Sequence, residues 1–385
     1  MKLSGHVPSG NSSRIAFQAK RGKLPEGTEW NCRKAQNGIA GKHKMELPKA
    51  QEMSGLYHDS SLQYAYMQLT QYIKGRRTNM EFLRFLSTVR TPVLDTFMFW
   101  ISYLGTPFVL IGVFEWYYLN VNKEGAYGMS LAFCFSCLFC QGTKLVVRMP
   151  RPWNLDPTFQ AVEAAIPSAE GYSFPSIHTQ SIVSVLGSIV YLSRHILVKA
   201  IMTVLIVLVM FSRMYLGVHT PLDVFGALLF TVVISGIIWI RWNSHRRSFD
   251  EQNMLKFFMP AFAVVLLCLT AALLVNGTVD YSNAKNSFET VGSALGFSFA
   301  YFIEPRYIRF SVEGSVVQKI LRFLIAIAGA AAIILGLKAL FGTGVPMLVI
   351  RYFLTIAYLT ILVPLICIRT GLCSRTLVKK RLPQI

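Results

Sequence analysis

Apolar runs long enough to cross a lipid bilayer follow one another from residue 107 to residue 368 of this 385-residue chain. A helix needs about 20 apolar residues to cross the hydrocarbon core, and lipid leaves no solvent partner for unpaired backbone groups. The runs lie at 107–121, 126–147, 177–193, 198–216, 221–241, 257–276, 287–303, 316–337 and 347–368. They predict an all-α, polytopic transmembrane helical bundle of about nine spans.

An earlier apolar segment, TPVLDTFMFWISYLG at 91–105, is harder to place. It is short for a span, and it contains Asp95. We expect it to lie in the membrane interface or to cross only together with its flanks, which would make about ten spans.

The composition agrees with a membrane protein, because 53% of the residues are hydrophobic and only 15% are charged. The formal net charge of +19 could indicate a nucleic-acid partner. The basic residues, however, concentrate in the polar N-terminus, at helix ends and in the C-terminal tail. That distribution is typical of positive-inside anchoring and contact with anionic lipid. We therefore expect the bilayer, and no nucleic acid, as a partner.

The short loops predict an orientation. The positive-inside rule is satisfied when the basic loops at 193–199, 242–256 and 304–315 and the C-terminal tail face the cytoplasm. One group conflicts with this arrangement. Lys74, Arg76, Arg77 and Arg84 also favour the cytoplasm, and placing them there would require the 91–105 segment to span.

Three regions are expected along the chain. Residues 1–75 are polar and lack periodicity, so they are expected to be disordered or to lie partly upstream of a natural start at Met45 or Met53. Residues 76–242 hold the unusual polar motifs, and residues 243–385 add further transmembrane helices and a basic tail. The cysteines at 134, 137 and 140 fall inside an apolar run, where helix packing is favoured over metal ligation.

Three polar clusters interrupt the apolar pattern on one side of the predicted membrane. They are KLVVRMPRP (144–152), GYSFPSIHTQ (171–180) and SRMYLGVHTPLD (212–223). Each lies where a predicted helix begins or ends, and the alternation of spans puts all three on the same face. Ionisable groups at such a boundary are costly unless they are paired or used, so the coincidence predicts one site.

The charges in these clusters predict an oxyanion ligand. Lys144, Arg151 and Arg213 are three cations without a matching set of acidic residues, and guanidinium groups suit phosphate oxygens. Ser176 precedes a predicted helix, where it can cap the first turn and also donate its hydroxyl to a phosphate held by the free N–H groups. A cap alone also explains Ser176.

Two histidines add groups that a simple binding pocket does not need. An imidazole can act as a nucleophile or a proton donor near neutral pH. Asp223 follows His219 by four residues, so its carboxylate could orient one ring nitrogen and leave the other free to attack. His178 has no acidic neighbour at helical spacing, which suits a proton donor to the leaving oxygen.

These residues resemble the three signatures of the type 2 phosphatidic acid phosphatase superfamily. KLVVRMPRP matches K-x6-R-P, PSIH resembles P-S-G-H, and SRMYLGVHTPLD matches S-R-x5-H-x3-D, in the same order. The resemblance extends from about Leu94 to Trp242. Within the superfamily the chain is most similar to bacterial membrane lipid phosphatases, including undecaprenyl pyrophosphate phosphatases, and more distantly to sphingosine-phosphate and glucose-6-phosphate phosphatases.

The resemblance implies a six-helix-type phosphatase core and a role for each motif residue. The phosphate would be held by Lys144, Arg151, Ser176 and Arg213. His219 would attack phosphorus to form a phosphohistidine, Asp223 would orient it, and His178 would protonate the leaving group before water hydrolyses the phosphoenzyme. No metal or other cofactor is implied, because lysine and arginine neutralise the phosphate charge in this family.

Two details lie outside the motif match. The family usually has glycine where this chain has Ile177, which would modify substrate fit or turnover without abolishing activity. Gly292 and Gly296 form a GxxxG pair, for which packing within the chain is favoured over dimerisation.

Three other functions are alternatives to a lipid phosphatase. A transporter is disfavoured, because its broken helices with polar residues at the membrane midplane are absent from the sequence pattern. A phosphotransferase would need the same residues as a phosphatase and stays open. A vanadium haloperoxidase shares the oxyanion pocket, but such enzymes resemble soluble helical proteins.

The expected substrate is an amphiphilic phosphate or pyrophosphate ester, because the site lies at the depth of a lipid headgroup. The expected location is a bacterial cytoplasmic membrane, with the site on the extracytoplasmic side and the C-terminal tail in the cytoplasm. An endoplasmic-reticulum membrane is the alternative for a eukaryotic source.

Overall fold

The computed structural model describes residues 80–242 and 257–376, and the predictions for residues 1–75 therefore lie outside the described residues. The main helices are α1 Pro92–Tyr103, α2 Pro107–Asn120, α3 Lys123–Val147, α4 Pro152–Leu155, α5 Ile177–Leu192, α6 Ile196–Tyr215, α7 Pro221–Trp242, α8 Met259–Val275, α9 Tyr281–Ile303, α10 Val316–Phe341, α11 Val345–Ala357 and α12 Val363–Arg369. Within the described ranges, extended pairing is limited to one isolated antiparallel bridge between Phe310 and Arg375. The prediction of an all-α bundle is confirmed.

Local sequence signals set where these helices begin. Asn122 caps α3 by accepting a hydrogen bond from the Gly125 N–H at 2.9 Å. Ser315 and Gln318 form a reciprocal capping box at the start of α10. Proline occupies the first turn of α1, α2 and α4, where its missing N–H costs no helical hydrogen bond.

Fewer helices are long and apolar enough to span a membrane than the apolar runs predict. Five segments of the described chain qualify, and a sixth is added if α1 and α2, which are bent by 48°, count as one span. The five are Lys123–Leu155, Ile196–Tyr215, Pro221–Trp242, Val316–Phe341 and Val345–Arg369. Helices α5 and α8 are apolar but only 16 and 17 residues long. The predicted count of nine or ten spans is therefore not confirmed.

Helix α1, formed by the ambiguous 91–105 segment, has both ends beside the last turn of α6. Asp95 near its start accepts a hydrogen bond from the Tyr215 hydroxyl at 2.8 Å. Ser102 near its end accepts one from Arg213 at 2.6 Å. Because both partners belong to the same turn, α1 packs along this end of the bundle, and the choice between an interfacial segment and part of a span stays a prediction.

We call this end of the bundle the site end. It is where α3 ends, α5 begins, α6 ends and α7 begins. Arg84, one of the basic residues that conflict with the predicted orientation, pairs with Asp156 at the site end, whereas Lys74, Arg76 and Arg77 lie outside the described residues. An exposed ion pair of this kind adds little stability, but it fixes where this part of the chain lies.

A buried polar cluster ties the opposite end of the bundle together. Glu304 is fully buried and accepts hydrogen bonds from Lys123 at 3.0 Å and from the Tyr127 hydroxyl. The contacts of Glu304 connect α3 to the segment that follows α9. The two arginines that follow Glu304 make other contacts, since Arg306 lies on the Phe302 ring and Arg309 donates to the Pro305 carbonyl.

The GxxxG pair packs α9 against α11, as the intramolecular interpretation predicts. A Cβ atom on Gly292 would lie 2.3 Å from the Val349 carbonyl oxygen, and one on Gly296 would lie 2.7 Å from that of Phe353. Real Cβ atoms do not approach backbone so closely, so both positions need glycine for this close packing. The pair thereby fixes α11 next to α9 within one chain.

Replacing Gly292 with alanine is expected to lower the thermal stability of the purified protein. The added methyl group meets a backbone carbonyl that cannot move independently, and overpacking of this kind costs about 1–3 kcal/mol. Gly336→Ala is the matched control, because nothing lies within 4 Å of its Cβ position on α10. Thermal unfolding in detergent should show a lower Tm for Gly292→Ala alone, and equal Tm values would contradict this packing.

Candidate active site

Short backbone contacts bring the three polar clusters together at the site end. The Ser173 N–H donates to the Met149 carbonyl at 2.7 Å, which joins the first cluster to the second. The Ser176 N–H donates to the Asp223 carbonyl at 3.0 Å, which joins the second to the third. Stretches separated by dozens of residues therefore form one site.

Arg151 is the cross-link at the centre of this arrangement. Its guanidinium donates to the carbonyls of Gly171 at 2.9 Å, Glu170 at 2.9 Å and Val218 at 3.0 Å. The side chain is 5% exposed. Five N–H donors in a rigid plane allow arginine, unlike lysine, to hold several loops at once.

His219 lies between Arg151 and Asp223. Its Nε2 is 2.9 Å from the Arg151 Nη1, and its Nδ1 is 3.6 Å from the Asp223 Oδ2. An arginine can only donate, so this contact favours a bare Nε2 and a proton on Nδ1 facing the carboxylate. That tautomer is the one a nucleophilic imidazole needs.

Burial lowers the pKa of His219 well below its usual value, and the charges of Arg151 and Arg213 lower it further. Both effects favour the neutral form of the imidazole. A neutral ring keeps the lone pair that attack on phosphorus requires.

Ser173 and Thr220 both hold the carboxylate of Asp223 by hydrogen bonds. The Ser173 hydroxyl donates to Asp223 Oδ2 at 2.6 Å, and the Thr220 N–H donates to the same oxygen at 2.7 Å. Both Ser173 and Asp223 are fully buried. These contacts therefore fix the position of the carboxylate relative to the imidazole.

Arg213 is the most unusual charge in the site. It is 1% exposed, and its Nη1 donates to the hydroxyls of Ser102 at 2.6 Å and Ser168 at 3.3 Å. Its Nε and Nη2 have no hydrogen-bond partner among the described residues. Buried donors without partners are costly, which indicates that an anion belongs beside them.

Lys144 and His178 reach the same space from α3 and α5. Lys144 is 5% exposed and donates to the Tyr172 carbonyl. His178 is 7% exposed, and its Nε2 has no partner in the described part of the chain. Both side chains line a cavity of about 350 Å³, together with Arg151 and His219.

Ser176 caps α5, as one of the two sequence interpretations predicts. Its hydroxyl accepts from the Thr179 N–H at 3.4 Å. The N–H groups of Ile177 and His178 lie in the first turn of that helix, where they have no intrahelical partner. The Ile177 side chain lines the cavity, so it narrows the space where the family usually has glycine.

The charges of the site do not cancel. Lys144, Arg151 and Arg213 are buried with one carboxylate, that of Asp223. A buried excess of positive charge is unfavourable unless an anion compensates it. The arrangement therefore suits a dianionic phosphate more than a neutral ligand.

Some contributors to the site have no clear signal in the sequence. Ser173 lies inside the second polar cluster but has no distinguishing spacing, and Ser102 and Ser168 hold Arg213 from segments outside the clusters. The cavity is also lined by residues of the last helices, for which the sequence predicts no role. These are Asn286, Glu289, Thr290, Ser293 and Tyr352.

Arg213→Met is expected to remove anion binding without lowering stability. Orthovanadate, a phosphate mimic, should raise the Tm of the unmodified protein, since a ligand at about 100 times its Kd stabilises by about 2.7 kcal/mol. The variant should lose this shift, while its Tm without vanadate stays equal or rises because an uncompensated buried cation is gone.

Arg194→Met is the matched control, because Arg194 is exposed at the opposite end of the bundle. Thermal unfolding with and without orthovanadate measures both effects. A variant with a lower Tm and an unchanged vanadate shift would mean that Arg213 is only structural.

Two family models match the chain. Residues 125–247 match the PAP2 superfamily, that is, type 2 phosphatidic acid phosphatase. Residues 288–375 match the model described as the PAP2 superfamily phosphatase, transmembrane extension. The first match contains all three polar clusters, and the second contains α10, α11 and α12.

Individual relatives cover parts of the chain. Undecaprenyl-diphosphatase BcrC of Bacillus subtilis (strain 168) is 27% identical over 169 residues, which is 41% of this chain and 80% of that protein. Lipid phosphate phosphatase delta of Arabidopsis thaliana is 27% identical over 188 residues, 44% of this chain and 43% of the relative. The chain thus spans less than half the length of the plant protein.

One solved structure also matches, the crystal structure of Aquifex aeolicus LpxE, with 26% identity, a TM-score of 0.37, and coverage of 42% of this chain and 95% of that chain. The resemblance seen in the three motifs is confirmed by the family models. The chain belongs to the PAP2 superfamily and carries the transmembrane extension described for its phosphatases.

Proposed function

We propose that this membrane phosphatase hydrolyses an amphiphilic phosphate or diphosphate ester through a phosphohistidine on His219. The observation that carries the proposal is the set of buried donors beside His219. Arg213 Nε and Nη2 and His178 Nε2 have no partner among the described residues, and all belong to one buried, positively charged site. A phosphoryl group bound there would accept hydrogen bonds from each of them.

In the first step, His219 Nε2 attacks phosphorus. An N–P bond forms while the P–O bond to the leaving group breaks, and Asp223 stabilises the positive charge that develops on the ring. In the unliganded site Arg151 lies 2.9 Å from Nε2. Phosphate binding must therefore draw this donor from the nitrogen onto a phosphate oxygen, which frees the lone pair as the substrate arrives.

His178, whose protonated form is favoured by the negative charge of a bound phosphate, provides the proton for the leaving oxygen. It lines the cavity, and its Nε2 has no competing partner in the described residues. In the second step, water attacks the phosphohistidine and the now neutral His178 accepts its proton, so that the N–P bond breaks and inorganic phosphate forms. Both imidazoles return to their starting states.

Lys144 and Arg213 stabilise the charge on the phosphoryl oxygens. Both are buried, so their interaction with phosphate is less screened than it would be in water. Preorganised cations of this kind supply the neutralisation that magnesium provides in many phosphoryl-transfer enzymes.

An amphiphilic substrate is supported by the other surfaces of the cavity. Phe108, Ile111 and Phe133 line it, and Phe108 is 61% exposed on α2. Ile111 and Phe133 also line an adjoining apolar pocket of about 60 Å³. A phosphate beside the cations would thus have space for its apolar part towards the membrane.

The site is proposed to face away from the cytoplasm, in a bacterial cytoplasmic membrane. Basic residues cluster at the opposite end of the bundle, namely Arg194, Lys199, Arg241, Arg306, Arg309, Arg369 and Arg375. Placing that end in the cytoplasm follows the positive-inside rule. The substrate headgroup would then be processed at the outer surface.

His219→Ala is expected to abolish phosphate release, by a factor of about 10⁴ or more, because the nucleophile is lost. The assay uses purified protein without magnesium on polyprenyl diphosphate, phosphatidate, phosphatidylglycerol phosphate and sphingoid-base phosphate. Rapid quenching with labelled substrate should trap an acid-labile phosphoenzyme in the unmodified protein and none in the variant. His195→Ala, at an exposed histidine, is the matched control.

Release that persists in His219→Ala would remove this residue as the nucleophile. The same reactions separate hydrolysis from transfer. Labelled inorganic phosphate indicates hydrolysis, whereas a labelled second lipid indicates phosphotransfer.

The loss of kcat caused by His178→Ala is expected to depend on the leaving group of the substrate. Loss of the proton donor should lower kcat by about 10²–10⁴ for a lipid alcohol, which leaves poorly without a proton. The loss should be smaller for p-nitrophenyl phosphate, because p-nitrophenolate departs unprotonated. Steady-state kinetics on both substrates measures the ratio, and equal losses would argue against a proton-donor role.

A further inference from the structure

The transmembrane extension contributes part of the lining of the cavity that also holds Lys144, Arg151, His178 and His219. Asn286 on α9 lines this part of the cavity with an amide, which can donate as well as accept. Four further side chains line it with oxygen atoms as their polar groups, Glu289, Thr290 and Ser293 on α9 and Tyr352 on α11. We call these four residues the acceptor wall, because their oxygen atoms can accept hydrogen bonds. The close α9–α11 packing at Gly292 lies within the same stretch of α9, so the two helices present this wall as one surface.

The hydroxyl protons of the two smaller residues are already committed. Thr290 donates to the Asn286 carbonyl at 2.8 Å, and Ser293 donates to the Glu289 carbonyl at 2.9 Å. A hydroxyl that donates to its own helix keeps lone pairs but has no second proton. Both oxygens can therefore act only as acceptors towards further groups, and that of Thr290 already lies 3.5 Å from the Cys137 Sγ on α3.

Tyr352 and Glu289, the other two residues of the acceptor wall, also favour accepting hydrogen bonds over donating them. The Tyr352 hydroxyl lies close enough to the Glu289 carboxylate to interact with it, and donation to that carboxylate would commit its proton. An ionised carboxylate is an acceptor only, and two oxygens give Glu289 more capacity than Tyr352 uses. The wall thus offers acceptors, whereas Lys144, Arg151 and His178 offer donors in the same cavity.

The charge near the acceptor wall is balanced. Glu289 is attracted by Lys285 and by the buried Arg351, and Glu170 pairs with Lys285 at 2.9 Å. A ligand group that meets this wall needs a proton to donate but does not need a full positive charge. Hydroxyl and ammonium groups both meet that requirement.

The size of the cavity leaves room for such a group. Its volume of about 350 Å³ falls in the range of pockets that hold whole small molecules, about 300–1,000 Å³. A phosphoryl group alone does not fill it. The adjacent part of the leaving alcohol would extend from the cations towards α9.

We propose that the acceptor wall recognises a hydrogen-bond donor, a hydroxyl or ammonium group, on the leaving alcohol close to the phosphate. This inference rests on the proposed phosphatase function and adds the substrate class. It assigns the extension to substrate selection. Lipid phosphates with a donor near the phosphate are favoured over phosphatidate and polyprenyl diphosphates, which have none there.

The test compares kcat/KM for four substrates on the full-length protein in detergent. Sphingoid-base phosphate carries ammonium and hydroxyl donors, phosphatidylglycerol phosphate carries a hydroxyl, and phosphatidate and farnesyl diphosphate carry neither. Glu289→Gln should lower the ratio of donor-bearing substrate to phosphatidate by about ten-fold, mainly through KM, because a charged hydrogen-bond acceptor is lost. Ser293→Ala should lower it by about three-fold, the effect of a neutral hydrogen bond.

Glu163→Gln is the matched control, since it makes the same chemical change at an exposed carboxylate of the described chain. In this control the ratio of kcat/KM for donor-bearing substrate to kcat/KM for phosphatidate should equal that of the unmodified protein. If Glu289→Gln lowers kcat/KM relative to phosphatidate for both donor-bearing substrates, the recognised group is the hydroxyl. If it does so for sphingoid-base phosphate alone, the recognised group is the ammonium.

Two results would overturn the inference. One is an unmodified enzyme that does not prefer donor-bearing substrates. The other is a pair of variants whose kcat/KM falls equally for all four substrates, as a purely structural role would give. Failure of the phosphatase function looks different, because the unmodified protein would then release phosphate from no substrate, or His219→Ala would retain activity.

Discussion

The guanidinium of Arg151 is the contact on which the site depends. It holds the carbonyls of Glu170, Gly171 and Val218, and it reaches His219 as well. Fixing these loops opposes the conformational entropy that they would otherwise keep, and doing so with a charged group adds positive potential. One side chain thus builds the site and prepares it for phosphate. The same donor lies on the attacking nitrogen until an anion draws it away.

The burial of uncompensated charge is the second constraint. Arg213 and Lys144 lie deep in an apolar bundle with few partners, an arrangement that lowers stability in the absence of a ligand. Such unfavourable contacts are expected where a charged substrate must bind, because the substrate relieves them. The extension adds a different surface to the same cavity, which Glu289 and its neighbours on α9 and α11 line.

The motif residues could be named from the sequence because phosphoryl chemistry restricts the choice of side chain. Lys144, Arg151, His178 and His219 are residue types with few other uses at a membrane boundary, and all four line the cavity. Ser173 could not be found, since a serine in a polar loop is common and its contact with Asp223 depends on the fold. The predicted number of spans was not confirmed, because hydropathy alone does not determine where helices such as α5 and α8 begin and end.

The sequence by itself determined an all-helical membrane bundle, its family, and the packing role of Gly292 and Gly296, because each rests on local periodicity or fixed spacing. Only the tertiary structure decided that α1 lies along the site end and that α9 and α11 line the cavity. These facts depend on contacts between residues far apart in the chain. No local pattern encodes which face of one helix meets another, since that choice follows from the packing of the whole bundle.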